Sequence, residues 1–125
     1  MDLTEVIISH AQWRQRFADY LEGHGQMDLA QVEADNQCPY GRWLYGEGLE
    51  YRDLPEFGAV VESHRRFHAA AGQVMRLAPT LPPGKALDLI SLNSVFANAS
   101  MAFVTALCMF RDVVEKAEAA EGIER

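Results

Sequence analysis

Apolar side chains recur at helical spacing near the start of the chain. The segment from Leu3 to Leu21 carries one apolar stripe that repeats every three to four residues, with Asp2 or Thr4 available as a cap and Gly23 close behind its end. The pattern predicts a first long helix. Its stripe consists of Leu3, Val6, Ile7, His10, Phe17 and Leu21.

A second long helix is predicted from the start signal at Asp53–Glu56 to about Ala78. Pro55 fits the first turn of a helix, where its missing N–H group is not needed. The apolar stripe of this segment includes two histidines, so we expect both imidazoles to point into the protein. The stripe is formed by Phe57, Val60, Val61, His64, His68, Ala71, Val74 and Met75.

A third helical segment extends from Lys85 to about Val114, and its pattern allows a bend or break near Ser91–Asn93. The proline-rich run Pro79–Gly84 forbids helix before it and forms a firm connection. Apolar residues surround most of the third segment, which indicates burial on more than one side. One side would face the bundle, and we expect the other to face a second copy of the protein.

Shorter elements are predicted around the long ones. Asp28–Ala34 favours a turn or two of helix, and Pro39–Leu44 forms a short helix that two glycines terminate. The charged, alanine-rich tail Glu115–Arg125 is expected to be a frayed helical extension or a disordered end. The predicted fold class is therefore all-α: an antiparallel bundle of about four helices plus the short helix that follows Cys38.

Length and charge fit a single domain that does not bind nucleic acid. The 125 residues suffice for one hydrophobic core, which we place at about residues 6–113, ahead of the tail at 114–125. The formal net charge of −7 argues against phosphate backbones and anionic membrane surfaces as main partners.

Targeting signals and cysteine content indicate the compartment. The first residues are acidic and carry no basic region, so export is not expected. The most apolar run, Val95 to Phe110, is interrupted by polar residues and is shorter than a membrane span. Two cysteines do not make a disulfide framework. We therefore expect a soluble, cytoplasmic protein in which Cys38 is a metal ligand or a redox-active thiol.

One cysteine and three histidines form a candidate metal site. Cys38 stands directly before a helix-opening proline, where the helix dipole and free N–H groups favour the thiolate. His64 and His68 lie one turn apart on one helix face, and His10 lies on the apolar stripe of the first helix. Three nitrogens and one sulfur favour Zn²⁺ over Mg²⁺ or Ca²⁺, and the thiolate disfavours non-haem iron. We therefore predict a closed zinc site of His10, Cys38, His64 and His68.

Each of these residues also has a purely structural interpretation. The histidines can be explained as packed neutral imidazoles and Cys38 as a small buried hydrophobe. His24, between two glycines, is interpreted as solvated, and Cys108 as part of the core. Catalysis is disfavoured, because a fourth protein ligand fills the position of the catalytic water and no glutamate follows His64. We therefore do not expect an enzyme.

The order and spacing of these motifs resemble the CZB family, the chemoreceptor zinc-binding domains. The resemblance rests on His10 with Trp13, on a Cys-x-x-Gly-x-Trp run at 38–43 and on a His-x-x-x-His run at 64–68. It implies a cytoplasmic bacterial regulatory domain in which His10, Cys38, His64 and His68 bind zinc. It also implies a homodimer that is joined to a chemoreceptor or a diguanylate cyclase. Such domains sense zinc or, through the zinc-bound cysteine, oxidants such as hypochlorous acid, and so modulate chemotaxis or cyclic-di-GMP signalling.

The chain departs from the family pattern after Val113, where a short charged tail replaces a signalling coiled coil or a cyclase domain. We expect either a separate output partner or a longer parent protein. Two functions remain open: a sensor that loses zinc or its cysteine ligand, and a structural dimerisation module whose zinc never leaves. A zinc hydrolase ranks third.

Overall fold

Three long amphipathic helices form the bundle, and two short helices pack beside them. A computed structural model describes residues 1–82 and 84–124, and every regular element in that part of the chain is helical. The α-helices are α1 (Leu3–Leu21), α2 (Leu29–Glu33), α3 (Pro39–Leu44), α4 (Pro55–Leu77) and α5 (Val95–Glu124). Short 3₁₀ segments occupy Glu47–Tyr51, Ala78–Thr80 and Ala86–Ile90. The predicted all-α bundle is confirmed, including the short helix after Cys38.

Local sequence explains where these helices begin. The Asp2 carboxylate accepts hydrogen bonds from two backbone N–H groups in the first turn of α1, at 3.0 and 3.3 Å. Asp28 caps α2 in the same way, at 3.2 Å. Helix α4 starts at Pro55, as predicted, and Leu54 takes the extended cap position without a side-chain bond.

The connection between α4 and α5 differs in part from the prediction. The proline-rich run was expected to exclude helix, but Ala78–Thr80 forms a 3₁₀ turn, because its proline lies in the first turn and needs no N–H partner. Pro83 lies outside the described residues. The break predicted near Ser91–Asn93 is confirmed, and Asn93 adopts a φ of 72°, a left-handed conformation that asparagine tolerates.

The core lies where α1 and α4 pack against α5. Phe67 is at its centre, with its ring 5.1 Å from that of Trp13 and 5.5 Å from that of Phe96. Burial of one such side chain stabilises the fold by about 1.5–3 kcal/mol. The largest fully buried side chains are Phe17, Phe96, Phe110, Leu44, Leu107, His64 and Val60.

Helix α5 carries an apolar face that its own bundle does not cover. Val95, Met101 and Met109 are 78%, 66% and 59% exposed. The segment Ala86–Glu121 is long and apolar enough to cross a membrane by length and composition, and only 17% of its most apolar window is buried. The prediction that the apolar run is too short for a membrane span is therefore wrong in length and composition. Core helices of soluble proteins can be equally long and apolar.

The predicted charged tail continues α5 as far as Glu124, so the helical alternative is confirmed over the described residues. The Tyr51 hydroxyl donates a hydrogen bond to Glu118 at 3.3 Å, which ties the first part of this extension to the 3₁₀ segment after α3. Arg125 lies outside the described residues.

Gly41 allows the short helix α3 to pack against the segment that precedes it. A Cβ atom at this position would overlap the backbone carbonyl group of Asp35. The Gly41 N–H also donates a hydrogen bond to the Cys38 sulfur at 3.2 Å. A side chain at position 41 would therefore displace the cysteine as well as the helix.

We expect Gly41→Ala to lower the free energy of unfolding by about 1–3 kcal/mol, because the added methyl group must push backbone apart. Gly58→Ala on the exposed side of α4 is the matched control, since nothing lies within 4 Å of its added Cβ atom. That change should stabilise the protein by about 0.5–1 kcal/mol. Urea denaturation measures both, and equal effects of the two substitutions would contradict the packing described for Gly41.

Candidate metal centre

Three side chains converge between α3 and α4. Cys38 directly precedes α3, and His64 and His68 lie one turn apart on α4. The Cys38 sulfur is 3.3 Å from Nε2 of His64, which is 3.1 Å from Nε2 of His68. Ligand atoms around a tetrahedral zinc, with bonds of about 2.1 Å to nitrogen and 2.3 Å to sulfur, are about 3.3–3.6 Å apart. Two of the three distances are therefore close to the spacing that ligands of one ion require, and all three ligand atoms lie within 4.8 Å of one another.

The hydrogen bond made by His68 decides which of its nitrogens faces the cluster. Nδ1 of His68 lies 2.7 Å from the backbone oxygen of Val32, which can only accept, so Nδ1 carries the proton. Nε2 of His68 consequently presents a lone pair to His64. A backbone carbonyl that holds the far nitrogen of an imidazole is the arrangement that supports metal-binding histidines.

His64 lies between the Cys38 sulfur, which is a donor as a thiol and an acceptor as a thiolate, and the lone pair on Nε2 of His68. A proton on Nε2 of His64 would serve only one of them at a time, whereas a cation satisfies all three lone pairs together. Nδ1 of His64 is buried and has no hydrogen-bond partner among the described residues. A cation would therefore account for the sulfur and both Nε2 atoms together, and it would leave Nδ1 of His64 without a partner among the described residues, as neutral hydrogen bonds do.

The site keeps its histidines in the neutral form that binds metals. His64 is 2% exposed and His68 is 4% exposed. Burial, followed by the charge of His68, lowers the pKa of His64 to about 3. Burial also lowers the pKa of His68, although the hydrogen bond to Val32 opposes that effect.

Cys38 corrects one expectation drawn from sequence. The position before α3 was expected to favour the thiolate, and its sulfur does accept the Gly41 N–H. Burial has the larger effect, however, and raises the pKa of the Cys38 thiol. The helix start alone therefore does not produce a thiolate, and a coordinated cation would supply the charge that does.

His10 lies in the wall of the same cavity but is not one of the three converging side chains. The cavity has a volume of about 450 Å³, and its lining, which is mostly apolar, includes all four predicted ligands. Nε2 of His10 is 2.7 Å from the Ser100 hydroxyl on α5, and its ring packs 4.5 Å from that of Phe67. Burial lowers the pKa of His10 to about 4. The role of His10 as a fourth ligand therefore stays a prediction.

Sequence reasoning missed Ser100 as the partner of His10. A polar residue inside the most apolar run of α5 was the available signal, but it was treated only as an interruption of that run. Of the two residues that were set aside, His24 is exposed, and Cys108 is partly buried, as Cys38 is, rather than fully in the core.

The lowered pKa values predict a loss of stability in mild acid. An unfolded histidine has a pKa near 6.5, above the native values of His10 and His64, so the unfolded chain binds protons first as the pH falls. With chelator present, the free energy of unfolding should decrease between pH 6.5 and 5, by up to about 1.4 kcal/mol per pH unit for each histidine. Urea denaturation across this range measures the decrease. A flat or rising profile would contradict the burial of these imidazoles.

The comparison with protein families agrees with the geometry. The model described as the chemoreceptor zinc-binding domain, CZB, matches residues 10–75, a span that begins at His10 and contains all four predicted ligands. No curated protein and no solved structure matches the chain significantly. The match covers 66 of the 125 residues, and it confirms the resemblance inferred from the motifs. The chain belongs to the chemoreceptor zinc-binding domain family.

Proposed function

We propose that this protein is a non-catalytic, zinc-dependent regulatory domain in which His10, Cys38, His64 and His68 bind one Zn²⁺. The observation that carries the proposal is the convergence of the Cys38 sulfur and the two Nε2 atoms, with Nδ1 of His68 fixed by Val32. Family membership supports zinc as the metal. When bound, the ion supplies the positive charge that keeps Cys38 as a thiolate and links its helix to α4.

The four ligands differ in how firmly the fold holds them. His64 and His68 lie in the middle of the 23-residue helix α4, which packs against α5. Cys38 caps the six-residue helix α3, which is too short to be stable on its own and is anchored in the core by Tyr40 and Leu44. We infer that α4 is the fixed platform and that the Cys38 segment is the part that moves.

Two stimuli would release that segment. A fall in free zinc would empty the site, and an oxidant such as hypochlorous acid would convert the Cys38 thiolate to a sulfenic acid, which is a weaker ligand. Cys38 is only partly buried, which supports the second route. We propose that release of the segment modulates chemotaxis or cyclic-di-GMP signalling through an attached or separate partner.

The uncovered face of α5 supports a homodimer of soluble, cytoplasmic subunits. A groove beside α4 includes Ala59, Ala102 and Ala106 between the exposed Met101 and Met109. Small residues flanked by flexible methionines suit close packing of helices from a second copy. The net charge of −7 favours this occupant over an anionic membrane.

A structural dimerisation module is the second candidate, because it uses the same four ligands. It differs only in that zinc stays bound until the whole bundle unfolds. Graded chelator and hypochlorous acid, followed by helicity, zinc content and mass, distinguish the two. Reversible zinc loss with a change in helicity or association supports a sensor, and zinc that leaves only on global unfolding supports the structural module.

Replacement of Cys38 tests the site directly. Four ligands share a binding free energy of roughly 10–16 kcal/mol, so we expect Cys38→Ala to weaken zinc binding by at least about 100-fold. It should also abolish any response to hypochlorous acid. Competition with a fluorescent zinc chelator measures the affinity, and Cys108→Ala is the matched control. Unchanged affinity in Cys38→Ala would remove this residue from the site.

Charge on the α5 face tests the homodimer. We expect wild-type protein to sediment at twice the subunit mass of 14.0 kDa and the double variant Met101→Glu with Met109→Glu to sediment as a monomer. Ile8→Glu on α1, where Ile8 is 46% exposed, is the control and should remain a dimer. A monomeric wild-type protein, or one that instead binds neutral lipid vesicles through this face, would contradict the dimer.

A further inference from the structure

Two clefts of different character lead to Cys38. The first is the apolar cavity described above, whose lining includes the acidic residues Asp2 and Glu5. The second is a polar cleft of about 320 Å³ among α1, α2 and α3, which we call the arginine cleft. Its lining includes Arg16, Gln31, Gln37, Cys38, Arg42 and His68.

The arginine cleft is locally positive in an acidic protein. Arg16 and Arg42 come from different helices, and within residues 1–82 and 84–124 neither takes part in an ion pair. Asp28 is the one carboxylate among the described lining residues, and it is occupied as the cap of α2. Two guanidinium groups against one carboxylate give the lining a net positive charge, whereas the chain carries −7. Asp35, which is outside the lining, is the charged side chain that acts on the sulfur itself, and it adds to the rise in the pKa of the Cys38 thiol that burial causes.

The side chains of the cleft have the chemistry that recognises a carboxylate. Guanidinium groups donate paired, charge-assisted hydrogen bonds to carboxylate oxygens. Glutamine amides at positions 26, 31 and 37 add neutral donors and acceptors around them. The volume lies near the lower end of the range for small-molecule pockets, so the fitting ligand is small.

We propose that the arginine cleft binds a small organic carboxylate beside Cys38, with Arg16 and Arg42 as its recognition residues. The site enriches anionic molecules next to the sulfur and gives no such advantage to neutral ones. It does not depend on the metal, so it stands or falls separately from the zinc proposal.

Paired alkylating reagents test this selectivity. Iodoacetate and iodoacetamide have nearly the same size, and with both the Cys38 thiolate displaces iodide and forms a carbon–sulfur bond. They differ in charge. The thiolate fraction and any protection of the sulfur affect both reagents equally, so the ratio of the two alkylation rates reports the effect of charge. Peptide mass spectrometry reports Cys38 and Cys108 separately in the full-length protein.

At low ionic strength we expect the iodoacetate-to-iodoacetamide ratio to be at least about threefold higher at Cys38 than at Cys108. The double variant Arg16→Gln with Arg42→Gln should lower the ratio at Cys38 to that at Cys108, because it slows iodoacetate alone. About 0.5 M salt should lower the ratio in the same way, because it screens the charges of the arginines. Arg42→Lys, which keeps the charge, should retain much of the excess. Arg66→Gln, whose side chain is 71% exposed and lies outside the cleft, is the control for net charge.

An unchanged ratio in the double variant would overturn the proposal. So would equal slowing of both reagents, which would mean that the arginines only shape access, or an equal effect of Arg66→Gln. A second measurement needs no reaction: titration with sodium acetate, against sodium chloride at equal ionic strength, followed by the NMR signals of the arginine side-chain N–H groups. Saturable shifts at Arg16 and Arg42 support the site, and their absence overturns it.

Discussion

The structure depends on three lone pairs that point at one another. The Cys38 sulfur and Nε2 of His64 and His68 lie 3.1–3.3 Å apart along the chain of contacts, in a region where water is largely excluded. The sulfur accepts the Gly41 N–H, but one proton at Nε2 of His64 can serve only one of its two neighbours, whereas a cation would bind all three atoms. The surrounding features bring these three atoms together. Helix α4 aligns the two imidazoles, Val32 fixes one of them, and Gly41 lets the short helix bring the sulfur close.

The ligands of this cluster come from a rigid element, α4, and from a segment that we propose can move, the one that carries Cys38. Helix α4 is long and buried along one face, so the two histidines hardly depend on the metal for their position. Cys38 lies at the start of the six-residue helix α3, which Tyr40 and Leu44 anchor in the core, and an ion would hold the end that carries the sulfur. His10 contacts Ser100 on α5, so the longest helix is connected to the wall of the site. Helix α5 itself supplies none of the converging ligands.

Much of this architecture could be predicted from the sequence. The apolar stripe of α4 placed His64 and His68 on the buried face, and Pro39 marked the start of the helix that follows Cys38, because periodicity and helix-start signals act locally. The bond between His10 and Ser100 could not be predicted, since the two residues are 90 positions apart and their contact depends on how α1 packs on α5. The pKa of Cys38 was misjudged for a related reason: the helix start is visible in the sequence, but the burial that outweighs it is a tertiary property.

The most direct test of the zinc-centred account is X-ray absorption at the zinc edge of protein purified without added metal, combined with zinc analysis. The account predicts about one zinc per chain, with one sulfur at about 2.3 Å and three nitrogens at about 2.0–2.1 Å in the first shell. Three nitrogen or oxygen ligands without sulfur would exclude Cys38, and a folded protein without zinc would contradict the central claim.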